Sequence, residues 1–262
     1  MARISAARIA AKAVDEQTIV CITAYDAPTA GLVEAAGVDL VLVGDSVGNV
    51  VLGFPDTRHV SLEMTIHHTA AVMRGTQHVH VCADMPFGTY QPSAEDAKRS
   101  VARLIRETGC QSVKLEGGRQ WYKTVRAIVE MGIPVMGHLG HLPQTAGLRP
   151  KREHWSEERT TGFVEEAVGL QDAGAYAIVL EVVPTEVARA TTEALDVPTI
   201  GIGSGPHCDG QVLVLHDVIG LGPELPHAKR YAEVGDTIRA AVSQYAAEVR
   251  EGVFPGPEHG YD

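Results

Sequence analysis

Eight short runs rich in β-branched residues recur along this chain, and that recurrence constrains its fold more than any other feature. They read "IVCITAY" (19–25), "DLVLVGD" (39–45), "HVHVCAD" (78–84), "CQSVKLEG" (110–117), "PVMGHLG" (134–140), "AYAIVLEV" (175–182), "PTIGIGSG" (198–205) and "VLVLHDVIG" (212–220). Between most of them lie segments of helical periodicity, at 61–75, 93–108, 120–131, 160–173 and 185–195. Several of these close on a glycine just before the next run, as in "EAAGVD", "RETGCQ", "VEMGIP" and "QDAGAY", where a helix C-cap is expected. Ser61 and Ser93 open two of the helical segments, and "SAEDAK" places carboxylates in a first turn, against the helix dipole. Strands that alternate with helices pair in parallel through right-handed crossovers. Eight such units in 262 residues give a single-domain α/β fold, a (β/α)8 TIM barrel spanning 1–262, with a doubly wound open sheet as the alternative. The alanine-rich start reads as an N-terminal helix and 228–250 as a C-terminal one, followed by a flexible Pro/Gly-rich tail at 253–262.

Charge and cysteine content narrow the class. A net charge of −11 leaves no basic surface to displace counterions, so a nucleic-acid partner is not expected. Cys21, Cys82, Cys110 and Cys208 lie far apart without zinc-ligand spacing, and read as reduced thiols of a cytoplasmic protein. No apolar run approaches the length of a membrane span, and the first residues lack the apolar stretch of a signal peptide, so no membrane partner is expected either.

In a parallel barrel the chemistry gathers where the strands end. Three runs close on a carboxylate, Asp45, Asp84 and Glu116, on neighbouring strands. Three carboxylates at one rim disfavour joint ionisation unless a cation joins them, and an all-oxygen set suits Mg2+ better than zinc. Each acid read alone is equally a turn or capping residue. Ser46, next to Asp45, offers a hydroxyl and an N–H to whatever the metal holds. Lys114 stands two residues before Glu116 and shares its face, so it either holds a substrate carboxylate or pairs with Glu116 or Asp84. The fifth run supplies His138, a candidate substrate-binding residue, and His141 follows it. Glu181 ends an apolar strand, a setting that raises a carboxylate toward general-base work, though it could instead cap the next helix. His67, His68, His78 and His80 lie away from strand ends. "GIGSGP" (201–206) lacks the Lys-Ser/Thr of a phosphate loop and reads as a tight turn. The basic run "RPKREH" (149–154) falls in the loop after the fifth strand, on the acids' side.

The ordered blocks "TAYDAPTA", "VGDSVGNVVLG", "HHTAAVMRG", "ADMPFGTY", "VKLEGG", "VMGHLGHLPQ", "VLEVVP" and "GIGSG…CDGQVLVLHDVIGL" resemble the ketopantoate hydroxymethyltransferase family, in the phosphoenolpyruvate/pyruvate-type barrel superfamily, from about residue 3 to about residue 222. The resemblance implies that Asp45, Asp84 and Glu116 hold one Mg2+ per subunit. It further implies that Asp45, Ser46, Asp84 and Lys114 bind an oxoacid, and that Glu181 accepts a proton. The implied reaction moves a hydroxymethyl group from 5,10-methylenetetrahydrofolate to 3-methyl-2-oxobutanoate through a chelated enolate, giving 2-dehydropantoate for pantothenate and coenzyme A synthesis. The implied assembly is a homo-oligomer, typically a decamer. The chain departs from the family after "HLPQ", where "TAGLRPKREHWSEERTTG" replaces the usual glycine-aromatic segment. Here 147–161 is expected to form a mobile lid with Arg149, Lys151 and Arg152 facing the folate's anionic tail. Competing expectations are a related barrel enzyme making or breaking C–C or C–P bonds in another 2-oxo acid, and a catalytically silent metal-binding oligomer.

Overall fold

The computed structural model describes residues 2–146 and 155–261. Eight strands, β1 (Ile19–Thr23), β2 (Leu40–Val43), β3 (His80–Asp84), β4 (Ser112–Glu116), β5 (Val135–Gly140), β6 (Ala175–Glu181), β7 (Thr199–Ile202) and β8 (Gly210–Leu213), pair in chain order. Every pairing is parallel, and β8 returns to β1, so the sheet closes into a barrel. The open doubly wound alternative is thereby excluded. Helix α1 (Ala6–Val14) precedes β1, and α2 (Ala27–Ala35), α3 (Val47–Val50), α4 (Leu62–Gly75), α5 (Ala94–Thr108), α6 (Tyr122–Val129), α7 (Pro143–Ala146), α8 (Glu157–Asp172) and α9 (Thr185–Glu193) lie in the connections between strands.

Local chemistry sets these boundaries. Ser93 caps α5 by accepting from the Asp96 N–H, Glu95 and Asp96 lie in its first turn, and Gly109 ends it in the left-handed region at φ 74°. Helix α8 begins earlier than the periodicity implied, because Ser156 accepts from the Arg159 N–H and sets the start at Glu157. The eighth run divides. Its strand begins at Gly210 and ends at Leu213, and residues 215–218 turn helical, since a short apolar stretch does not by itself distinguish strand from helix.

Inside the barrel, side chains from alternate strand positions form an apolar layer of Ile19, Cys21, Leu40, Leu42, Cys82, Met136, Ala177, Val179, Ile200 and Val212. Ile9 of α1 packs into the same cluster and is fully buried, so the N-terminal helix contributes to the barrel filling. At the start of β3, His80 is fully buried, with Nδ1 2.9 Å from the Ile4 carbonyl and Nε2 2.8 Å from the Ser112 hydroxyl. Continued one or two residues toward the strand ends, the inward series Cys82–Asp84 and Ser112–Lys114–Glu116 carries the polar groups that the sequence marks.

Contacts within the chain separate the barrel unit, Met1–Val214, from a C-terminal unit, Leu215–Asp262. The latter comprises α10 (Leu215–Val218), α11 (Val234–Glu251) and a short 3-10 turn at Pro257–His259. Phe254 packs its ring against Tyr245 of α11 at 5.6 Å between centroids. No residue of α11 is buried, and Ile238, Val242, Tyr245 and Val249 form an exposed apolar stripe at helical spacing. Among the described residues no helix is long and apolar enough to cross a membrane.

Candidate active site

Strand register brings the predicted site residues together. Asp84 pairs with Lys114 across β3 and β4, Glu116 with His138 across β4 and β5, and Gly140 with Glu181 across β5 and β6. Inward positions on neighbouring strands are side-chain neighbours. The Lys114 ammonium accordingly stands 2.8 Å from Asp84 Oδ1, with both side chains buried. Asp45 arrives from the turn after β2, and its backbone N–H donates to Asp84 Oδ2 at 2.9 Å. Gly44 permits this approach, since a Cβ there would meet Ser46 Oγ at 2.8 Å and the Asp84 carboxylate at 3.5 Å. The Ser46 hydroxyl is 2.7 Å from that of Tyr25.

Charge in the cluster is unbalanced. Burial raises the Asp45 carboxyl well above its ordinary range, and the neighbouring charges of Asp84 and Glu116 add to the rise. Burial also penalises the Lys114 ammonium, but Asp84, Glu116 and Asp45 outweigh it and hold Lys114 protonated above the usual lysine range. Glu116 is likewise penalised by burial. The hydrogen bond and charge of His138, with Lys114 beyond, bring it to a net position below the ordinary glutamate value.

His138 Nδ1 lies 3.5 Å from Glu116 Oε1 and 3.4 Å from the Lys114 ammonium, and its Nε2 is 3.2 Å from Glu181 Oε2. Burial and Lys114 disfavour the imidazolium, yet the two carboxylates prevail and push His138 up to about 9. The setting of Glu181 therefore differs from the apolar surround expected for it. The side chain is 19% exposed and faces the His138 ring, because pairing of the two strand ends draws them together. Directly after it, Val182 takes φ 52°, an uncommon conformation for a β-branched residue, and donates its N–H to the Ile202 carbonyl at 2.8 Å. At Gly140, φ 97°, a Cβ would lie 2.3 Å from the Glu181 carbonyl oxygen, so only glycine allows this approach of β5 to β6.

Three further polar residues complete the wall. Gln144 of α7 donates its N–H to Glu116 Oε2 at 3.0 Å and its carboxamide nitrogen to Asp45 Oδ2 at 2.9 Å. The Tyr90 hydroxyl lies 2.8 Å from Gln144 Oε1 and 3.1 Å from the Glu116 carbonyl oxygen. Tyr25 and Tyr90 are both buried, and burial pushes their phenols above the ordinary range. The sequence signal for Gln144 was its place in "HLPQ"; Tyr25 and Tyr90 lie in the quoted blocks "TAYDAPTA" and "ADMPFGTY". The loop expectation for Arg149, Lys151 and Arg152 lies outside the described residues.

Among the described residues, no three His, Cys, Asp or Glu side chains form a ready-made metal cluster. Gln144 accounts for part of this by bridging Asp45 and Glu116, and Lys114 occupies one side of Asp84. The donor set nevertheless fits a hard divalent cation. Asp45, Asp84 and Glu116 offer only oxygen, and with Glu181 they make four carboxyl groups facing two basic side chains, Lys114 and His138. Among the described residues, buried Asp84 Oδ1 receives no well-directed hydrogen bond and stands 2.8 Å from the Lys114 ammonium.

The family model described as ketopantoate hydroxymethyltransferase matches residues 3–257. A relative from Pyrobaculum islandicum, 3-methyl-2-oxobutanoate hydroxymethyltransferase, is 54% identical over 92% of this chain and 93% of its own length. A Heliobacterium modesticaldum protein of the same name is 49% identical over 92% of this chain and 88% of its own. Among solved structures, 2,3-dimethylmalate lyase, a PEP mutase/isocitrate lyase superfamily member, superposes with a TM-score of 0.63 over 100% of this chain and 92% of that one at 16% identity. A phosphonopyruvate hydrolase gives 0.65 over the same shares at 15%, a likeness of fold. With its closed barrel, its inward-facing site and a family match running almost end to end, the chain belongs to the ketopantoate hydroxymethyltransferase family, and is an enzyme of the hydroxymethyltransferase class.

Proposed function

We propose that the chain transfers a one-carbon unit from 5,10-methylenetetrahydrofolate to 3-methyl-2-oxobutanoate, giving 2-dehydropantoate. The observation that carries this reading is the juxtaposition, on adjacent inward strand ends, of a carboxylate–ammonium cluster and the His138–Glu181 pair. Asp45, Asp84 and Glu116 would hold Mg2+, which when bound supplies positive charge to the carboxylate and keto oxygens of the oxoacid. Lys114, fixed by Asp84, presents an ammonium to the same oxygens, and Ser46 offers its hydroxyl at the edge of the site. Glu181 takes the proton from C3 of the oxoacid. His138 orients Glu181 through Nε2, and its other nitrogen faces Glu116. The C3 carbanion equivalent then forms a bond to the donor methylene as its bond to one folate nitrogen breaks; water forms the C–O bond as the bond to the second nitrogen breaks, and the proton taken from C3 and one from water pass to the two nitrogens, releasing tetrahydrofolate.

The exposed stripe on α11 supports a homo-oligomer, with a decamer as the resemblance implies, because a contiguous apolar face is a common mark of an interface. A cytoplasmic setting accords with the four free cysteines. The test of the chemistry is exchange of the C3 hydrogen of 3-methyl-2-oxobutanoate in deuterated buffer. Glu181→Gln should slow exchange by about 10²- to 10⁴-fold while retaining oxoacid binding. Exchange at the wild-type rate removes Glu181 from the role.

A further inference from the structure

Gln144 is 2% exposed, yet it comes from a four-residue helix rather than from a strand, and nothing in the proposed reaction uses it. Its polar groups are engaged on three sides. The main-chain N–H reaches Glu116 Oε2 at 3.0 Å, and the carboxamide nitrogen donates to Asp45 Oδ2 at 2.9 Å and to the Met85 carbonyl at 3.0 Å. The carboxamide oxygen accepts from Tyr90 at 2.8 Å. These partners fix the amide's orientation. Turned over, it would set its oxygen against the Asp45 carboxylate and a carbonyl. The carboxylates it touches, Asp45 from the β2 turn and Glu116 from β4, are not joined by strand pairing, since β3 lies between them.

We propose that Gln144 is a positioning residue for the divalent cation, setting Asp45 and Glu116 at a fixed separation and orientation from outside the ligand set. The inference rests on the proposed cation site. Residue chemistry at this position is restricted. Glutamate would add a further carboxylate to a cluster already in excess, and asparagine is one methylene shorter. Methionine matches the size of glutamine and offers no side-chain donor, so it removes the bond to Asp45 while the main-chain N–H to Glu116 remains. Partners that orient ligating carboxylates typically change metal affinity or activity by about 10- to 100-fold when removed, and that is the effect assigned to Gln144.

The experiment is titration calorimetry of MgCl2 into the full-length protein with saturating 3-methyl-2-oxobutanoate, for wild type, Gln144→Met and Gln144→Ala, alongside thermal melts. The expected result is a folded Gln144→Met protein whose Mg2+ Kd is raised about 10- to 100-fold. At saturating Mg2+ the oxoacid KM should return close to the wild-type value, which a merely space-filling residue would not produce. A folded variant whose Mg2+ Kd stays within twofold of wild type overturns the proposal and leaves the cation site standing. Wild-type protein without measurable Mg2+ binding overturns both. If both variants fail to fold, Gln144 belongs to the core and the proposal also falls.

Discussion

Replacing Lys114 by methionine tests the electrostatics of the barrel interior directly. The side chain is 5% exposed and its ammonium is 2.8 Å from Asp84 Oδ1. Methionine preserves much of its volume but leaves Asp45, Asp84 and Glu116 buried without that charge. Removing one partner of a buried pair typically costs about 3–5 kcal/mol. At roughly 2–4 °C per kcal/mol for a domain of this size, the melting temperature should fall by about 6–20 °C at pH 7.5. The deficit must also depend on pH. Asp45 is held well above its ordinary range with Lys114 present, and loses a charge that lowers it when Lys114 is gone. A carboxyl whose folded pKa is raised contributes its stability below the unfolded value, about 3.9, and loses it as pH rises through the folded value. The difference between variant and wild type should therefore be small near pH 4.5 and grow toward pH 8. Melts without added metal, run in parallel across that range, provide the assay. A deficit under about 1 kcal/mol, or one equal at both ends of the range, refutes the claim that Lys114 balances the cluster.

Asp84→Ala should retain a folded barrel yet lose Mg2+-dependent turnover, read by comparing circular dichroism with initial rates across a MgCl2 series. His80, which burial depresses to about 4, contributes stability that is present above pH 6.5 and lost as pH falls toward 4, roughly 3 kcal/mol in all. His80→Gln should flatten that limb of the stability–pH curve measured by urea unfolding, whereas an unchanged slope would assign the acid sensitivity elsewhere. Ile238→Glu with Tyr245→Arg places charges in the apolar stripe of α11 and should shift the proposed homo-oligomer to smaller species in light scattering.

Much of this architecture could be read in the chain because parallel barrels are locally redundant. Most strands are short β-branched runs, α4, α5 and α8 open on a serine N-cap, and the candidate site groups lie at or within two residues of the strand ends. Asp45, Asp84, Lys114, Glu116, His138 and Glu181 are placed together for that reason. What remained hidden depends on register and loop geometry. The alternation of β4 shows that Lys114 and Glu116 share a face, but only pairing with β3 and β5 shows that Lys114 meets Asp84 and Glu116 meets His138. Glu181 is similar. An apolar strand surrounds it in the sequence, while its neighbour in space is the imidazole of β5. Gln144 and Tyr90 lie in connecting segments whose side-chain directions follow no period, so their contacts with Glu116 could not be read in advance. The misplaced end of β8 has a different cause. "VLVLHDVIG" is apolar across both the strand and the helix that follows, and composition did not locate the break.

We propose that this site removes the C3 proton of a 2-oxo acid and adds a carbon from a folate donor, with Asp45, Asp84 and Glu116 positioned to hold a divalent cation. The most direct measurement is formation of 2-dehydropantoate by purified protein from 3-methyl-2-oxobutanoate and 5,10-methylenetetrahydrofolate, with MgCl2 and with EDTA, monitored by mass spectrometry using donor labelled with 13C at the methylene carbon. The expected result is labelled product that requires Mg2+ and is lost in Asp84→Ala and Glu181→Gln. Product formed equally in EDTA, or the absence of label from the product, would contradict it.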